Sequence, residues 1–127
     1  MGRLILIIDD DPDFAEAVTN LLVANDFEVE YAENGEIGFT KATSRKPDLI
    51  LLDVMMTTKT EGFDLARRLK EEATTIQIPV ILVTGIRRDL NVPFRFEPDA
   101  DWLPVKAVIE KPIRPDLLLK TIRDYLA

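Results

Sequence analysis

The residues of this chain best suited to chemistry are acids, a hydroxyl and an amine that stand at the ends of different apolar runs. They are Asp9, Asp10, Asp53, Thr84 and Lys111. The sequence contains no cysteine and no histidine, which excludes thiol nucleophiles, sulfur-bound or imidazole-bound metals, and Ser-His or Cys-His catalytic pairs. Any chemistry must therefore use carboxylates, hydroxyls, amines and the backbone.

Carboxylates that gather in one place need compensation. Two unit charges 4 Å apart repel by about 4 kcal/mol at an effective dielectric of 20. Oxygen ligands without sulfur or imidazole suit Mg²⁺, and an ammonium group such as that of Lys111 adds positive charge. A hydroxyl, an ammonium and a divalent cation together can hold a phosphoryl group, and a carboxylate beside them can act as its nucleophile.

Short apolar segments predict the strands that would position these groups. Continuous runs at 4–8, 49–52 and 80–83 are typical of strands covered on both faces, whereas residues 27–31 and 105–109 alternate, as expected at sheet edges. Strands that alternate with helices predict an α/β fold with a doubly wound, five-stranded parallel sheet. The central or peripheral character of each strand favours the order 2-1-3-4-5.

Helical periodicity fills the intervals between the strands. One helix begins at Asp11-Pro12, a second covers 34–44 with Asn34 as its cap, a third spans 63–73, and the last begins at Pro115. The segment 86–104 contains three prolines, so it predicts an atypical fourth helix or an ordered loop.

The strand order predicts where the acids meet. In an open parallel sheet, ligands bind outside the carboxyl ends of the strands at the switch point, which here lies between the first and third strands. Asp9, Asp10 and Asp53 should converge there. Asp11 is better interpreted as a helix cap because Pro12 follows it. Taken singly, each of the other acids also fits an ordinary loop or cap position.

Size and charge limit the function classes. The 127 residues predict one domain over 1–127, and a net charge of −7 disfavours direct binding to nucleic acid. The apolar run near the start is too short for a membrane span or a signal peptide. We expect a cytoplasmic protein without membrane contact.

Four motifs give the chain a family resemblance. They are IIDDDP at 7–12, LLDVMM at 51–56, PVILVTG at 79–85 and EKP at 110–112. In this order and spacing the chain resembles the receiver domain of two-component response regulators over essentially its whole length. The resemblance implies a flavodoxin-like (βα)5 fold, a signalling role rather than an enzymatic one, and a switch controlled by phosphorylation.

The resemblance also implies a role for each candidate residue. Asp53 would accept a phosphoryl group from a sensor histidine kinase or a phosphotransfer protein, and the domain would then control a downstream protein target. Mg²⁺ would be held by Asp10 and Asp53, with help from Asp9 and from the backbone carbonyl of Met55. Thr84 and Lys111 would contact the phosphoryl oxygens.

Some positions depart from the usual pattern of that family. Thr57 replaces a common proline, Val108 replaces the usual switch aromatic, and the interval between Thr84 and Lys111 is longer than typical. Met55 and Ile86 stand where the family tunes hydrolysis of the acyl phosphate. Because neither side chain can orient a water molecule, we expect a long-lived phosphoryl-aspartate.

Two alternatives remain open at this point. The spacing of Asp9 and Asp11, followed later by Thr84 and Lys111, also resembles a phosphatase of the haloacid dehalogenase type. That reading leaves Asp53 without a role. The altered segment after Gly85 would instead suit a receiver-like interaction module that does not cycle phosphate.

Overall fold

Strands and helices alternate from residue 4 to residue 84 and again at the last strand and helix, as the apolar patterning predicts for these parts of the chain. A computed structural model describes residues 2–53, 61–84, 105–110 and 113–126, with the backbone alone for residues 61–63, 84 and 110. The elements in this part are β1 (Leu4–Ile8), α1 (Pro12–Ala24), β2 (Glu28–Ala32), α2 (Gly35–Arg45), β3 (Leu49–Asp53), α3 (Glu61–Glu71), β4 (Val80–Thr84), β5 (Ala107–Glu110) and α4 (Pro115–Leu126). The segment 86–104, with its predicted atypical helix, lies outside the described residues.

The strands form one parallel sheet in the order β2-β1-β3-β4-β5, which confirms the order predicted from the sequence. The three apolar strands β1, β3 and β4 occupy the centre, and the two alternating strands form the edges. A central parallel strand is covered by helices on both faces, so it has no position for a solvated side chain. The central strands must therefore be apolar throughout, which is why the apolar pattern of the sequence predicts the strand order correctly.

Successive residues of each central strand enter two separate apolar cores. Leu6, Ile8, Ile50, Leu52 and Leu82 pack on the face covered by α2 and α3. The alternate residues of the same strands pack on the opposite face with α1 and α4; they are Ile5, Ile7, Leu49, Leu51, Ile81 and Val83. The sheet is therefore doubly wound, with two helices on each face within the described part of the chain.

Helix α2 approaches β1 closely because it carries Gly38 at the contact. A Cβ atom at this position would lie 2.6 Å from Cδ1 and 2.8 Å from Cγ1 of Ile8. Ile8 is fully buried and is the last residue of β1. The glycine thus fixes the packing of α2 against the end of the strand from which Asp9 emerges.

The amino ends of the strands form the opposite edge of the sheet. There the backbone of Asp48 bonds to Leu4 with an N···O distance of 2.8 Å. Helix α4 runs back to this edge, where the Tyr125 hydroxyl donates to the carbonyl of Lys106 at 3.0 Å. Arg123 of the same helix donates to the Asn25 side chain at the end of α1. Both described ends of the chain therefore lie at the amino edge.

The third helix ends earlier than its apolar spacing predicts. It stops at Glu71, and Ala73 lies in the turn that follows. The buried hydroxyl of Thr75 donates to the carbonyl of Leu69, one of the carbonyls that the helix end leaves without an intrahelical partner. The turn is held further by Lys70, whose ammonium donates to the carbonyls of Ile76 and Ile78.

No helix in the described ranges is both long enough and apolar enough to cross a membrane.

Candidate functional site

Two aspartates stand side by side at the carboxyl ends of the two central strands. Strands β1 and β3 pair with Ile8 opposite Leu52, so the next residue of each chain segment is an aspartate. Asp9 has 1% of its surface exposed and Asp53 has 4%. Both carboxylates are therefore largely withdrawn from water at the point where the winding of the sheet reverses.

Asp10 joins them from the solvent side. One carboxylate oxygen from each of Asp9, Asp10 and Asp53 lies within 4.8 Å of the other two, and Asp10 is exposed. We call these three residues the acidic cluster. The predicted convergence of the three side chains is confirmed, because the parallel register places the ends of β1 and β3 together.

The donor set of the acidic cluster fits Mg²⁺. All three groups offer hard oxygen atoms, which this ion prefers, and they include no sulfur or nitrogen. Two ligands of one Mg²⁺ ion lie up to about 4.2 Å apart at the usual metal–oxygen distance of about 2.1 Å. A spread of 4.8 Å is close to this limit, so a small inward movement or one bridging water would complete the fit.

The adjoining loop gives each aspartate of the 9–11 run a separate role. The backbone N–H of Asp11 donates to Oδ1 of Asp9 at 2.9 Å, which orients that carboxylate. The Asp11 side chain accepts from the N–H groups of Asp13 and Phe14 at 3.1 and 3.3 Å, and so caps α1. The interpretation of Asp11 as a cap is confirmed. The positive end of the α1 dipole also faces this edge and favours negative charge there.

The sequence patterning did not identify Tyr31 as part of this site. Its hydroxyl donates to the backbone carbonyl of Asp9 at 2.7 Å. Tyr31 lies opposite Ile7 in the β1–β2 register, so its ring extends along the edge of the sheet toward the loop. A tyrosine in an alternating edge strand is a common core residue. Only the register, which the sequence does not state, places its hydroxyl on Asp9.

The surroundings of Tyr31 keep its hydroxyl protonated. Burial raises the pKa of this phenol above its ordinary value, and the negative charges of Asp9, Glu33, Asp10 and Asp11 raise the pKa further. Both causes disfavour the phenolate. The hydroxyl is therefore a hydrogen-bond donor throughout the neutral range.

The remaining predicted site residues are described only in part. The backbone of Thr84 ends β4 beside Asp53, since Asp53 pairs with Val83 in the register. This places residue 84 at the predicted edge. Met55, Ile86 and Lys111 lie outside the described residues, so the roles predicted for them stay predictions.

Comparison with known proteins identifies one family. The chain matches the family described as the response regulator receiver domain over residues 5–123. It is 36% identical over 126 residues to the phosphate regulon transcriptional regulatory protein PhoB of Pseudomonas aeruginosa, covering 99% of this chain and 52% of that protein. It is 35% identical to Protein PilH of the same species, covering 97% of each chain.

Solved structures agree with these sequence matches. A CheY-like response regulator receiver domain protein from Methanospirillum hungatei superposes with a TM-score of 0.80 at 26% identity, covering 99% of this chain and 94% of the other. The signal receiver domain of a signal transduction histidine kinase from Syntrophus aciditrophicus gives 0.81 at 28% identity, covering 98% and 90%. The chain thus spans about half of PhoB but nearly all of PilH and of these two domains.

Proposed function

The chain belongs to the response regulator receiver domain family, and from this premise we propose that Asp53 is its phosphorylation site. The observation that carries the proposal is the acidic cluster at the carboxyl edge of the sheet. Asp53 ends the central strand β3 and is held between the neighbouring strands, whereas Asp10 lies at the solvent side. The proposed domain covers residues 1–127.

The proposed reaction is a phosphoryl transfer between two side chains. A carboxylate oxygen of Asp53 attacks the phosphorus of a phosphohistidine on a sensor kinase or a phosphotransfer protein. The new P–O bond forms as the P–N bond breaks, and the imidazole nitrogen leaves with the electron pair and takes up a proton. Thr84 and Lys111 are proposed to bind the phosphoryl oxygens, as the family resemblance implies.

Asp9, Asp10, Asp53 and the backbone carbonyl of Met55 are proposed to hold Mg²⁺. The bound ion would supply positive charge that offsets the carboxylates and the incoming phosphoryl group. The chain's own contribution is to keep Asp9 and Asp53 buried and to orient the Asp9 carboxylate before the phosphodonor arrives.

Receiver domains are signalling domains, and we propose that this one changes conformation on phosphorylation to control a downstream protein. The acidic net charge of −7 supports a protein partner rather than nucleic acid. We place the domain in the cytoplasm, where kinases form phosphohistidine from ATP.

Phosphorylation by a small donor tests the proposal. The protein is incubated with acetyl phosphate and Mg²⁺, and its intact mass and the modified peptide are determined. One phosphate on Asp53 is expected, with none in Asp53→Asn or in the presence of a chelator. Asp64→Asn, which removes an exposed aspartate of α3, is the matched control and should be modified like the original protein.

The same experiment separates the alternatives. A haloacid dehalogenase-type phosphatase would carry its phosphate on Asp9 and would not require Asp53. A receiver-like module that no longer cycles phosphate would acquire no adduct at any residue. Either result would overturn the assignment of Asp53.

A further inference from the structure

The backbone between Asp9 and Asp10 is held by neighbours on both sides. The N–H of Asp9 donates to the carbonyl of Ala32 at 3.0 Å, which extends the β1–β2 pairing one residue beyond the strand. The carbonyl of Asp9 accepts from the Tyr31 hydroxyl at 2.7 Å. Consecutive residues of β2 therefore supply both bonds, one from the main chain and one from a side chain.

The hydrogen bond from Tyr31 fixes the orientation of a whole peptide unit. Because a peptide unit is planar, the carbonyl of Asp9 and the N–H of Asp10 rotate together. Fixing the carbonyl direction also fixes the direction in which the chain leaves toward Asp10. The relative orientation of the Asp9 and Asp10 side chains then depends in part on a hydroxyl that is bonded to the backbone between them.

Residues of α2 hold the backbone of Tyr31 and its neighbour Glu30 in place. Its backbone carbonyl accepts from the Lys41 ammonium at 2.6 Å, and Lys41 also lies 3.5 Å from the carboxylate of Glu30. Arg45 of the same helix pairs with Glu30 at 3.3 Å. The ring packs against the core on the face covered by α1 and α4. Contacts therefore hold Tyr31 on both faces of the sheet: its backbone carbonyl is bonded to α2, and its ring packs on the face covered by α1 and α4.

We propose that Tyr31 is a positioning residue that presets the Asp9–Asp10 backbone for Mg²⁺ binding through its hydrogen bond to the Asp9 carbonyl. This inference rests on the proposed function, since it concerns the same acidic cluster. In this proposal the hydroxyl acts on the backbone and is not itself a ligand of the ion or of the phosphoryl group. It restricts the conformations of the Asp9–Asp10 backbone in the protein without metal, so that less conformational entropy is lost when the carboxylates bind Mg²⁺.

The chain offers a matched control for removing this hydroxyl. Tyr125 also donates its hydroxyl to a backbone carbonyl, that of Lys106, at 3.0 Å, but at the amino edge of the sheet. Tyr31→Phe and Tyr125→Phe therefore delete the same atom from the same kind of bond at opposite edges. A merely structural phenol would give similar results in both variants.

The first measurement is the Mg²⁺ dissociation constant of the unphosphorylated protein, determined by calorimetric titration with Mg²⁺ alone. Tyr31→Phe should weaken binding about fivefold, the effect of losing one neutral hydrogen bond, whereas Tyr125→Phe should leave it unchanged. A weakening of less than about threefold in Tyr31→Phe, or an equal weakening in both variants, overturns the inference. Placing 4-aminophenylalanine at residue 31 restores an N–H donor and should recover the original affinity; failure of this rescue also overturns it.

The second measurement is the rate of modification by acetyl phosphate as a function of Mg²⁺ concentration. Tyr31→Phe should need about five times more Mg²⁺ for half the maximal rate, while its rate at saturating Mg²⁺ stays within about twofold of the original protein. An unchanged requirement for Mg²⁺ in this variant overturns the inference about Tyr31 alone. Absence of modification in the original protein would instead overturn the proposed function.

Discussion

Adjacent residues of identical type take different roles in this protein according to their backbone environment. Asp9 is buried beside Asp53, Asp10 faces solvent, and Asp11 caps a helix. The strand ends before Asp9, and Pro12 starts the helix two residues after Asp10. The side chains between these two points must diverge because the backbone changes from extended to helical geometry within three residues.

The capping role of Asp11 predicts that its acceptor oxygen, rather than its negative charge, stabilises α1. Asp11→Ala should lower the free energy of unfolding by about 1 kcal/mol, because the N–H groups of Asp13 and Phe14 lose their acceptor. Asp11→Asn keeps the acceptor oxygen and should lower the free energy of unfolding by only a few tenths of a kcal/mol. Urea denaturation of both variants measures the difference. Equal losses in the two would show that the charge, rather than the cap, stabilises α1.

The lowered pKa of Lys70, a residue outside the acidic cluster, predicts that the stability of the protein depends on pH. Burial lowers the pKa of this amine below its ordinary 10.5, and the nearby charge of Lys106 lowers the pKa further. Between the lowered value and 10.5 the unfolded chain holds more protons, so this group makes stability increase as pH rises through that window. The contribution is lost as pH falls through the folded-state pKa.

Nuclear magnetic resonance of the Lys70 side-chain carbon would measure this titration directly. Lys106→Gln removes the second cause and should move the pKa of Lys70 upward, toward its ordinary value. Lys120→Gln, which removes an amine paired with Asp124 on α4, is the control and should leave it unchanged. A Lys70 pKa that does not respond to Lys106→Gln would contradict the electrostatic part of this account.

At the scale of elements, the contact between α2 and β1 connects core packing with the site. Gly38 leaves space that the buried side chain of Ile8 fills, and Asp9 follows Ile8 directly. A side chain added at residue 38 would therefore press on the last residue of β1. Gly38 thus links the packing of α2 to the strand that precedes Asp9.

Gly38→Ala should lower the free energy of unfolding by about 1 kcal/mol. The crowding against Ile8 costs about 1–3 kcal/mol, and better helix propensity returns up to about 1 kcal/mol. Denaturation of Gly38→Ala, Ile8→Val and the double variant measures the coupling. The double variant should lose less than the sum of the single losses, because valine lacks the Cδ1 atom nearest the new methyl group. Ser44→Ala, on the exposed side of the same helix, is the control.

The elements show which features sequence patterning can predict. The burial of β1, β3 and β4 on both faces is encoded in continuous apolar runs, and the helix starts at Asp11-Pro12 and Asn34 are encoded in capping side chains. These are local signals, and the predictions that used them are confirmed.

Features that depend on particular side-chain to backbone bonds, rather than on periodicity or capping residues, were missed or misplaced. The early end of α3 depends on Thr75 reaching back to Leu69, and the periodicity of the helix does not encode this bond. The bond from Tyr31 to Asp9 joins residues 22 apart in sequence and depends on register. By contrast, the acidic cluster was predictable because strand order alone brings the ends of β1 and β3 together.

At the scale of the whole molecule, we expect the acidic cluster to lower the stability of the folded protein when no cation is bound. Three carboxylates within 4.8 Å repel one another, so folding without a cation carries a cost that Mg²⁺ should remove. A ligand that binds only the folded state adds about 1.4 kcal/mol when its concentration is ten times its dissociation constant. The folded protein should therefore be measurably more stable in Mg²⁺ than in a chelator.

Asp10→Asn should stabilise the protein without Mg²⁺ and reduce the stabilisation that Mg²⁺ provides. In the chelator we expect it to raise the free energy of unfolding by about 0.5–1 kcal/mol, because one repelling charge is lost at a solvent-exposed position. In Mg²⁺ it should lose most of the gain seen in the original protein. Thermal denaturation in both buffers measures the two effects. Glu28→Gln, which removes an exposed negative charge at the amino end of β2, should leave the Mg²⁺ gain intact.

The return of α4 to the amino edge has a practical consequence for handling this molecule. The first and last described residues lie at the edge of the sheet opposite the acidic cluster. A biotin tag or a dye attached at this amino edge would lie away from the acidic cluster. The protein can thus be immobilised on a sensor chip through this edge, with the acidic cluster directed away from the surface of the chip.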